Sequence, residues 1–303
     1  MKVLVTGSTG LVGNALLNDL RRAGHIVCRL VRPETKVDSG AAPAGFDVRW
    51  NPRTGELGGA AVGADAVVNL GGASIADGRW TAERKTLLRT SRVEPTAMLV
   101  KALARMAARP RVLISASAIG YYGNRGDDVL NEDSPPGDDF LSGIAKDWEA
   151  EARKAEVLGI RVVPVRFGVV LAKQGGALPK MAQLFQLGVG GRLGSGRQWM
   201  SWVTLEDAVG IVKFALENAN LRGPMNAVSP EPVRNVDFTA ALAKALHRPA
   251  LFPAPAFALR LALGEMANAL LLSSQRVVPE QLQSSGYRFV YEDLHRALAA
   301  VLA

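Results

Sequence analysis

The sequence predicts an α/β protein, with a doubly wound parallel sheet and a smaller, mainly helical C-terminal lobe. Short β-rich runs alternate with helical stretches up to Arg166, which is the pattern of a parallel sheet whose strands are joined by helices. The strand segments are almost continuously apolar, as expected for strands that are covered on both faces. A chain of 303 residues, 48% of them hydrophobic, is long enough to bury such a sheet and carry an added lobe.

The predicted elements follow in chain order. We expect strands at residues 2–5, 26–31, 46–50, 66–70, 111–115, 160–166 and 224–228. We expect helices at residues 11–23, 81–107, 138–158 and 205–218. Gly24 ends the first helix, because glycine is a common helix stop, and Pro95 is expected to interrupt the second. After a glycine-rich stretch, residues 257–272 predict an amphipathic helix that contacts the core or a subunit.

The strongest motif joins the first strand to the first helix. Its three glycines have the spacing G-x-x-G-x-x-G. Gly7 permits a tight turn, Gly10 lets backbone amides approach a pyrophosphate, and Gly13 allows close packing of helix on strand. The helix N-terminus then favours the negative charge. We therefore expect a dinucleotide site of the Rossmann type. The cofactor-binding residues expected in this turn are Gly7, Thr9, Gly10, Leu11 and Val12.

The second strand indicates which dinucleotide binds. An NAD site carries an acidic residue for the ribose hydroxyl about 20 residues after the glycine turn. Here the strand ends Arg29-Leu30-Val31-Arg32-Pro33, without Asp or Glu. An arginine fork pairs with the 2′-phosphate that an acid would repel. We therefore expect NADP, with Arg32 as the first phosphate ligand and Arg29 as the second. Alternation along a strand leaves open that one of them is merely solvated.

Further cofactor contacts are expected where other strands end, because ligands of doubly wound sheets bind beyond the carboxyl ends of the strands. The candidates are Leu70, Gly71 and Gly72 after the fourth strand, Ser115 on the fifth, and Arg166, Gly168 and Val169 at the end of the sixth. The backbone at Gly168 and Val169 is expected to bond the nicotinamide carboxamide. A plain strand-end turn is the alternative for residues 70–72.

Charge and cysteine content exclude several other classes. The chain has 36 Lys and Arg against 28 Asp and Glu, a formal charge of +8. These basic residues are scattered, so we expect no nucleic-acid partner. The single cysteine, Cys28, lies in an apolar run and excludes a disulfide scaffold. The sequence pattern of a leader, a membrane span or a metal site is not seen, so we expect a cytoplasmic protein without metal or membrane contact.

Together these motifs resemble a known family. The resemblance to an extended short-chain dehydrogenase/reductase rests on Thr6-Gly7-Ser8-Thr9-Gly10-Leu11-Val12-Gly13, Asn69-Leu70-Gly71-Gly72 and Ser115-Ala116-Ser117. Segments 75–81, 120–123, 147–149, 190–198, 201–203 and 226–230 narrow it to the atypical "epimerase family protein" subfamily. The C-terminal helical module of that subfamily is similar to residues 248–302. The resemblance implies an NADP(H)-binding fold and oxidoreductase or epimerase chemistry.

The resemblance also exposes a departure. Ordinary extended members carry a Tyr-x-x-x-Lys pair on the helix after the fifth strand, and a preceding Ser that matches Ser117. If Glu149 matches the acid that usually follows, the pair becomes Leu141 and Ala145. Sliding by one residue gives Ser142 and Lys146. Neither register contains a Tyr, which normally serves as the general acid/base with a lowered pKa.

Other residues therefore have to supply the chemistry. The catalytic candidates are Ser117, to hold the substrate oxygen, and Tyr121 or Tyr122 in the loop after the fifth strand, as the proton donor. Ring packing against the substrate lobe is the alternative for both tyrosines. The substrate-binding candidates are Arg79, Trp80, Arg197, Gln198, Ser201 and Trp202. For the loop that carries the last four, packing between lobe and domain is the alternative.

The sequence leaves two functions open. The first is an NADP(H)-dependent oxidoreductase or epimerase-like enzyme that acts on a small carbonyl, alcohol or sugar-like substrate. The second is a non-catalytic NADP(H)-binding redox sensor or scaffold, which the missing Tyr-x-x-x-Lys pair favours. We expect residues 1–168 plus 204–228 to form the NADP-binding domain, and residues 169–203 plus 229–303 the substrate-side lobe. A homodimer is left open.

Overall fold

The computed structural model describes residues 1–35 and 46–303. Its strands are β1 (Lys2–Thr6), β2 (Ile26–Val31), β3 (Asp47–Asn51), β4 (Glu56–Leu57), β5 (Ala66–Asn69), β6 (Val112–Ala118), β7 (Val129–Leu130), β8 (Arg161–Phe167), β9 (Val169–Leu171), β10 (Trp199–Met200), β11 (Trp202–Thr204), β12 (Met225–Ala227), β13 (Val233–Arg234) and β14 (Arg276–Val277). Its α-helices are α1 (Leu11–Arg22), α2 (Ala82–Ala104), α3 (Phe140–Arg153), α4 (Leu178–Gln186), α5 (Leu205–Glu217), α6 (Asn235–Leu246), α7 (Ala256–Leu263), α8 (Glu280–Ser284) and α9 (Leu294–Leu302). Across these described ranges, none of the helices combines the length and apolar character that a membrane crossing requires.

An eight-stranded sheet runs through the described residues in the order β12-β8-β6-β5-β1-β2-β3-β4. Its strands are parallel except β4, which pairs antiparallel with β3. The chain builds outward from β1 to β3 and then returns to β5 to build the other half. The strand order therefore reverses between β1 and β5, and the ligand crevice of such sheets lies at this reversal. The predicted doubly wound parallel sheet is confirmed.

Alternation along β1 explains how both faces of the sheet are covered. Val3 and Val5 lie in a core shared with α1 and α5, whereas Leu4 lies in the opposite core with α2 and α3. All three side chains are fully buried, and each contributes about 1.5–3 kcal/mol on burial. Cys28 lies in the second core as a buried residue, and burial raises the pKa of its thiol.

Two helices differ from their predicted form. α2 continues through Pro95, because buried residues on both sides of the proline, Leu88 and Leu99 among them, hold the helix against the sheet and outweigh the proline's cost of about 3 kcal/mol. The single helix predicted at residues 257–272 is instead two pieces, α7 and a π-helical turn at Ala267–Leu272. Gly264 separates them with φ +63°, a conformation that favours glycine.

One carboxylate ties the C-terminal lobe to the sheet domain. Asp207, in the first turn of α5, is 1% exposed and accepts hydrogen bonds from the amides of Val290 at 2.8 Å and Tyr291 at 3.1 Å. The lobe has its own core between α4, α6 and α9, which includes Trp202. Leu282 of α8 packs in the same core as β1. The lobe is therefore mainly helical, as predicted, and part of it rests directly on the sheet.

Candidate functional site

The turn between β1 and α1 requires glycine at two positions. Gly7 has φ +64°, and a Cβ there would lie 2.5 Å from the Leu70 carbonyl oxygen. A Cβ on Gly13 would lie 2.2 Å from the Gly7 carbonyl oxygen. The Gly10 amide closes the turn by donating to that same oxygen at 3.0 Å. Strand and helix thus approach each other as closely as the glycine spacing predicts.

The N-terminus of α1 is open towards the carboxyl edge of the sheet. Gly10 is the N-cap of α1, and no side chain accepts a hydrogen bond from the first amides of the helix there. These amides are therefore available to a ligand. Thr9 and Gly10 are exposed, and Leu11 and Val12 are half-buried. These amides and the positive end of the helix dipole suit a phosphate group.

Thr6 ties the ends of β1 and β5 together at the reversal point. Its hydroxyl donates to Asn69 Oδ1 at 2.7 Å and accepts from the amides of Leu70 at 3.1 Å and Gly71 at 3.2 Å. Asn69 Nδ2 in turn donates to Ser115 Oγ at 3.3 Å. Ser115, which the sequence predicts as a cofactor contact, is 1% exposed. Ser115 therefore positions this turn through its hydrogen bond with Asn69.

Arg92 belongs to the same edge and is a residue that the sequence reasoning missed. Its guanidinium donates to the carbonyls of Ala73 and Leu88, both at 2.8 Å. It also lies 3.2 Å from the position that a Cβ on Gly72 would take. Burial, with a smaller contribution from the charge of Arg84, lowers the pKa of Arg92 to about 10. The side chain holds the backbone after Gly71 in place, a role for which an arginine in mid-helix gives no sequence signal.

The two arginines predicted for the 2′-phosphate have different surroundings. Arg29 forms a bidentate pair with Asp47, at 2.6 and 2.7 Å, so its charge is compensated. Arg32 is exposed just after β2, and its side chain has no hydrogen bond or ion pair with residues 1–35 or 46–303. Arg49, a second missed residue, shapes this loop by donating to the Arg32 carbonyl at 3.1 Å and to two further carbonyls.

A buried ion pair lies where β6 and β8 end. Arg166 donates through Nε and Nη2 to the two carboxylate oxygens of Glu149, at 2.8 and 2.9 Å. Ser117 donates to the same carboxylate at 2.6 Å. Burial alone would lower the pKa of Arg166, but the hydrogen bonds and charge of Glu149 outweigh it and raise that pKa. Ser117 and Arg166, predicted to contact substrate and cofactor, are both committed to Glu149.

The two tyrosines have unequal surroundings. Tyr122 is fully buried, and its hydroxyl donates to Asn226 Oδ1 at 2.7 Å and accepts from Arg166 Nη1 at 2.9 Å. Burial raises the pKa of Tyr122 to about 12. Its hydroxyl proton is therefore held by Asn226 inside the protein. This environment agrees with the alternative in which the Tyr122 ring packs within the fold. Tyr121 is half-buried, and its ring centroid lies 3.5 Å from the guanidinium carbon of Arg166.

Helix α3 presents residues of both registers to the turn after β6. A Cβ on Gly120 would lie 3.3 Å from Leu141 Cβ, and Ala145 is 4% exposed. Lys146 is exposed. Ser142 is buried, with its hydroxyl donating to the Gly120 carbonyl at 3.0 Å. Leu141 and Ala145 cannot transfer a proton, and Ser142 and Lys146 do not form a buried pair because Lys146 is exposed.

The backbone amides after β8 are hydrogen-bonded within the fold. The Gly168 amide donates to the Ala227 carbonyl at 3.1 Å, and the Val169 amide donates to the Ser201 carbonyl at 2.9 Å. A Cβ on Gly168 would lie 2.6 Å from the Ser201 carbonyl oxygen. Gly168 is therefore needed for the close approach of two chain segments. Both amides already have acceptors, and the contact of this backbone with a nicotinamide carboxamide stays a prediction.

Three residues of the loop predicted to bind substrate are buried. Gln198 Nε2 donates to two backbone carbonyls at 3.0 and 2.9 Å. Ser201 Oγ donates to the Gln275 carbonyl at 2.9 Å, and Trp202 Nε1 donates to the Glu231 carbonyl at 3.1 Å. These bonds join segments of the lobe to one another, so the packing alternative describes Gln198, Ser201 and Trp202. Arg197 is the exposed member of the set.

Arg79 and Trp80, the other two residues predicted to bind substrate, contact helices α7 and α3. Arg79 Nη2 donates to the Leu261 carbonyl in α7 at 2.9 Å. Trp80 packs edge-on against Phe140, the first residue of α3, with ring centroids 5.3 Å apart. The start of α2 is thus joined to both α3 and α7. In the described part of the chain, no three His, Cys, Asp or Glu side chains are grouped to hold a metal.

Comparisons with known proteins agree with this geometry. The model of the NAD dependent epimerase/dehydratase family matches residues 3–227. The chain belongs to this family. A second family model, a domain of unknown function named DUF1731, matches residues 254–301, which include α7, the π-helical turn, α8 and α9. The expected short-chain dehydrogenase/reductase family and its C-terminal helical module are therefore confirmed.

Relatives of this epimerase/dehydratase family member match along almost the whole chain. The epimerase family protein Mb2239 of Mycobacterium bovis is 45% identical, over 98% of this chain and 96% of the relative. The epimerase family protein YfhF of Bacillus subtilis is 38% identical, over 100% and 98%. Among solved structures, the human epimerase family protein SDR39U1 with NADPH is similar, with a TM-score of 0.87 at 32% identity, covering 100% of this chain and 99% of that one.

Proposed function

We propose that this chain binds NADP(H) at the carboxyl edge of β1 and catalyses hydride transfer to or from a small carbonyl, alcohol or sugar-like substrate. The observation that carries the proposal is the turn at Gly7 and Gly13, which excludes any Cβ and leaves the N-terminus of α1 open. The amides of this turn hold the pyrophosphate. Gly71 and Gly72, fixed by Thr6 and Arg92, form the opposite wall. Bound there, the cofactor supplies or accepts the hydride.

The choice of NADP over NAD rests on Arg32. Its guanidinium is exposed at the end of β2 and has no partner in the described ranges, so it is available to a 2′-phosphate. Asp47 is the nearby acid that would repel this phosphate, but Arg29 compensates its charge through two hydrogen bonds. The NADPH named with the human relative supports the same choice.

Tyr121 is the proposed proton donor. Ser117 and Tyr122 are committed to Glu149 and Asn226, and α3 presents no proton-transfer group at Leu141. The Tyr121 hydroxyl makes no hydrogen bond with the described residues, and its ring is held by the Arg166 guanidinium. The reaction's proton is therefore exchanged at Tyr121 Oη. The cytoplasmic location and a homodimer stay predictions.

A screen of carbonyl compounds with NADPH tests this function through the loss of NADPH absorbance. We expect turnover in the wild type, its loss in Tyr121→Phe, and unchanged turnover in Tyr291→Phe, a half-buried tyrosine of the C-terminal lobe. Unchanged turnover in Tyr121→Phe would remove Tyr121 as the donor. Tight NADPH binding without turnover across a wide panel would instead favour a non-catalytic NADP(H)-binding sensor. The commitment of Ser117 and Tyr122 to buried partners is the observation that supports this second function.

A further inference from the structure

A cavity of about 330 Å³ lies between the start of α3 and the C-terminal module. Its walls include Asn124, Asp139, Phe140, Arg260, Asn268 and Leu272. The cavity adjoins the turn that carries Tyr121, since a Cβ on Gly123 would lie 3.4 Å from Asp139 Oδ2. Its volume is at the lower end of the range for small-molecule sites.

Hydrogen bonds around the cavity orient a set of donors. Arg260 Nε donates to Asn268 Oδ1 at 2.9 Å, which fixes the guanidinium and leaves its two terminal nitrogens without a partner in the described ranges. Because Asn268 uses its oxygen in this bond, its Nδ2 remains as a donor. Asn124 Oδ1 accepts from the Ser274 amide at 2.9 Å, so Asn124 Nδ2 also remains. The cavity therefore presents hydrogen-bond donors from Arg260, Asn268 and Asn124. The Arg260 guanidinium also carries the positive charge of this set.

The acidic side chains of the cavity differ in how far they are compensated. Glu265 pairs with Lys85, whose ammonium lies 2.9 Å from its carboxylate. Asp139 Oδ1 accepts from the Ser142 amide at 2.8 Å and lies 2.9 Å from the Ser142 hydroxyl, so Oδ2 remains as an acceptor. The cavity thus has a cationic donor group at Arg260 and an acceptor at Asp139. Phe140 and Leu272 supply apolar surface.

We propose that this cavity is the substrate site and that it binds a short oxo- or hydroxy-carboxylate with an apolar side chain. Arg260 and Asn268 bind the carboxylate, and Asp139 accepts from the hydroxyl group that the hydroxy acid, but not the oxo acid, carries. A diphosphate would meet one uncompensated cation and the carboxylate of Asp139, so a single carboxylate fits the charge better. The assignment rests on the proposed function for its chemistry. The oxo carbon takes up the hydride of the dinucleotide, the oxo oxygen takes up a proton from Tyr121, and the products are the hydroxy acid and the oxidised dinucleotide.

Binding of phenylpyruvate to the full chain, measured by calorimetry, tests the site without turnover. Phenylacetone is the uncharged match for this ligand. We expect phenylpyruvate to bind the wild type and Arg260→Met to lower its affinity by about tenfold or more, because a charge-assisted bidentate contact is lost. The affinity for phenylacetone should be the same in both proteins. Arg248→Met, which changes another exposed arginine of the lobe, should leave phenylpyruvate binding unchanged.

Equal phenylpyruvate affinities of the wild type and Arg260→Met, or no binding to the wild type, would overturn the inference. Arg260→Gln, with circular dichroism of both variants, separates lost binding from lost folding. NADPH affinity is measured on the same samples and should not change in Arg260→Met. NADPH binding without phenylpyruvate binding contradicts the carboxylate site alone, whereas phenylpyruvate binding without NADPH binding contradicts the proposed function alone.

Discussion

Glu149 joins three chain segments through one buried carboxylate, and its change to Gln tests that role. The carboxylate accepts from Arg166 at 2.8 and 2.9 Å and from Ser117 at 2.6 Å. In Glu149→Gln an amide N–H faces the guanidinium, and Arg166, 2% exposed, keeps an uncompensated charge. Removing one partner of a buried ion pair costs about 3–5 kcal/mol. We expect the free energy of unfolding to fall by this amount.

Urea unfolding followed by tryptophan fluorescence measures the effect, and Glu151→Gln on the same helix is the matched control. Glu151 pairs with Lys154 at 2.6 Å with side-chain exposures of 20% and 62%, and such surface pairs contribute about 0–1 kcal/mol. Replacing both Glu149 and Arg166 by Met should cost less than Glu149→Gln, because no unpaired buried charge is left. A loss in Glu149→Gln no larger than in the control would refute the reasoning.

Gly13→Ala should disrupt the glycine turn and abolish NADPH binding, because the new Cβ would lie 2.2 Å from the Gly7 carbonyl; wild-type affinity and stability would contradict this. Gly143→Ala, where a Cβ meets no atom within 4 Å, is the control and should stabilise α3 by about 0.5–1 kcal/mol. Burial raises the pKa of Tyr122 to about 12, so the free energy of unfolding should fall at high pH. From about pH 10 the unfolded chain loses the phenolic proton that the folded chain keeps, so stability falls as pH rises through the folded value. Unfolding at a series of pH values should show a smaller decline in Tyr122→Phe, and an identical decline would contradict the assigned environment.

Local patterns carry most of the fold. The apolar run of β1, the glycine turn and α1 are specified by neighbouring residues, and their form is as predicted. The behaviour of α2 at Pro95 and of the chain at Gly264 depends on packing and on backbone conformation elsewhere in the molecule. Periodicity alone cannot weigh such contacts against the cost of a proline or the freedom of a glycine.

The candidate site divides in the same way. The turn at Gly7 and Gly13 was readable because a missing Cβ is itself a sequence feature. Glu149 forms an ion pair with Arg166, 17 residues away, and a hydrogen bond with Ser117, 32 residues away. No spacing rule in the sequence links these positions. Likewise, the Gly168 amide donates to the carbonyl of Ala227, which is distant from it in the sequence. The ends of the strands can therefore be predicted from the sequence, whereas the hydrogen-bond partners of the residues there require the structure.

Calorimetric titration of NADPH and NADH into the wild type and Arg32→Ala tests the central claim most directly. Arg32 is the exposed arginine at the end of β2 that we assign to the 2′-phosphate, and Arg53→Ala, an exposed arginine after β3, is the control. The account predicts that NADPH binds more tightly than NADH, and that Arg32→Ala weakens NADPH by about tenfold or more while NADH and the control are unchanged. Equal affinities for NADPH and NADH in the wild type, or binding of neither, would contradict it.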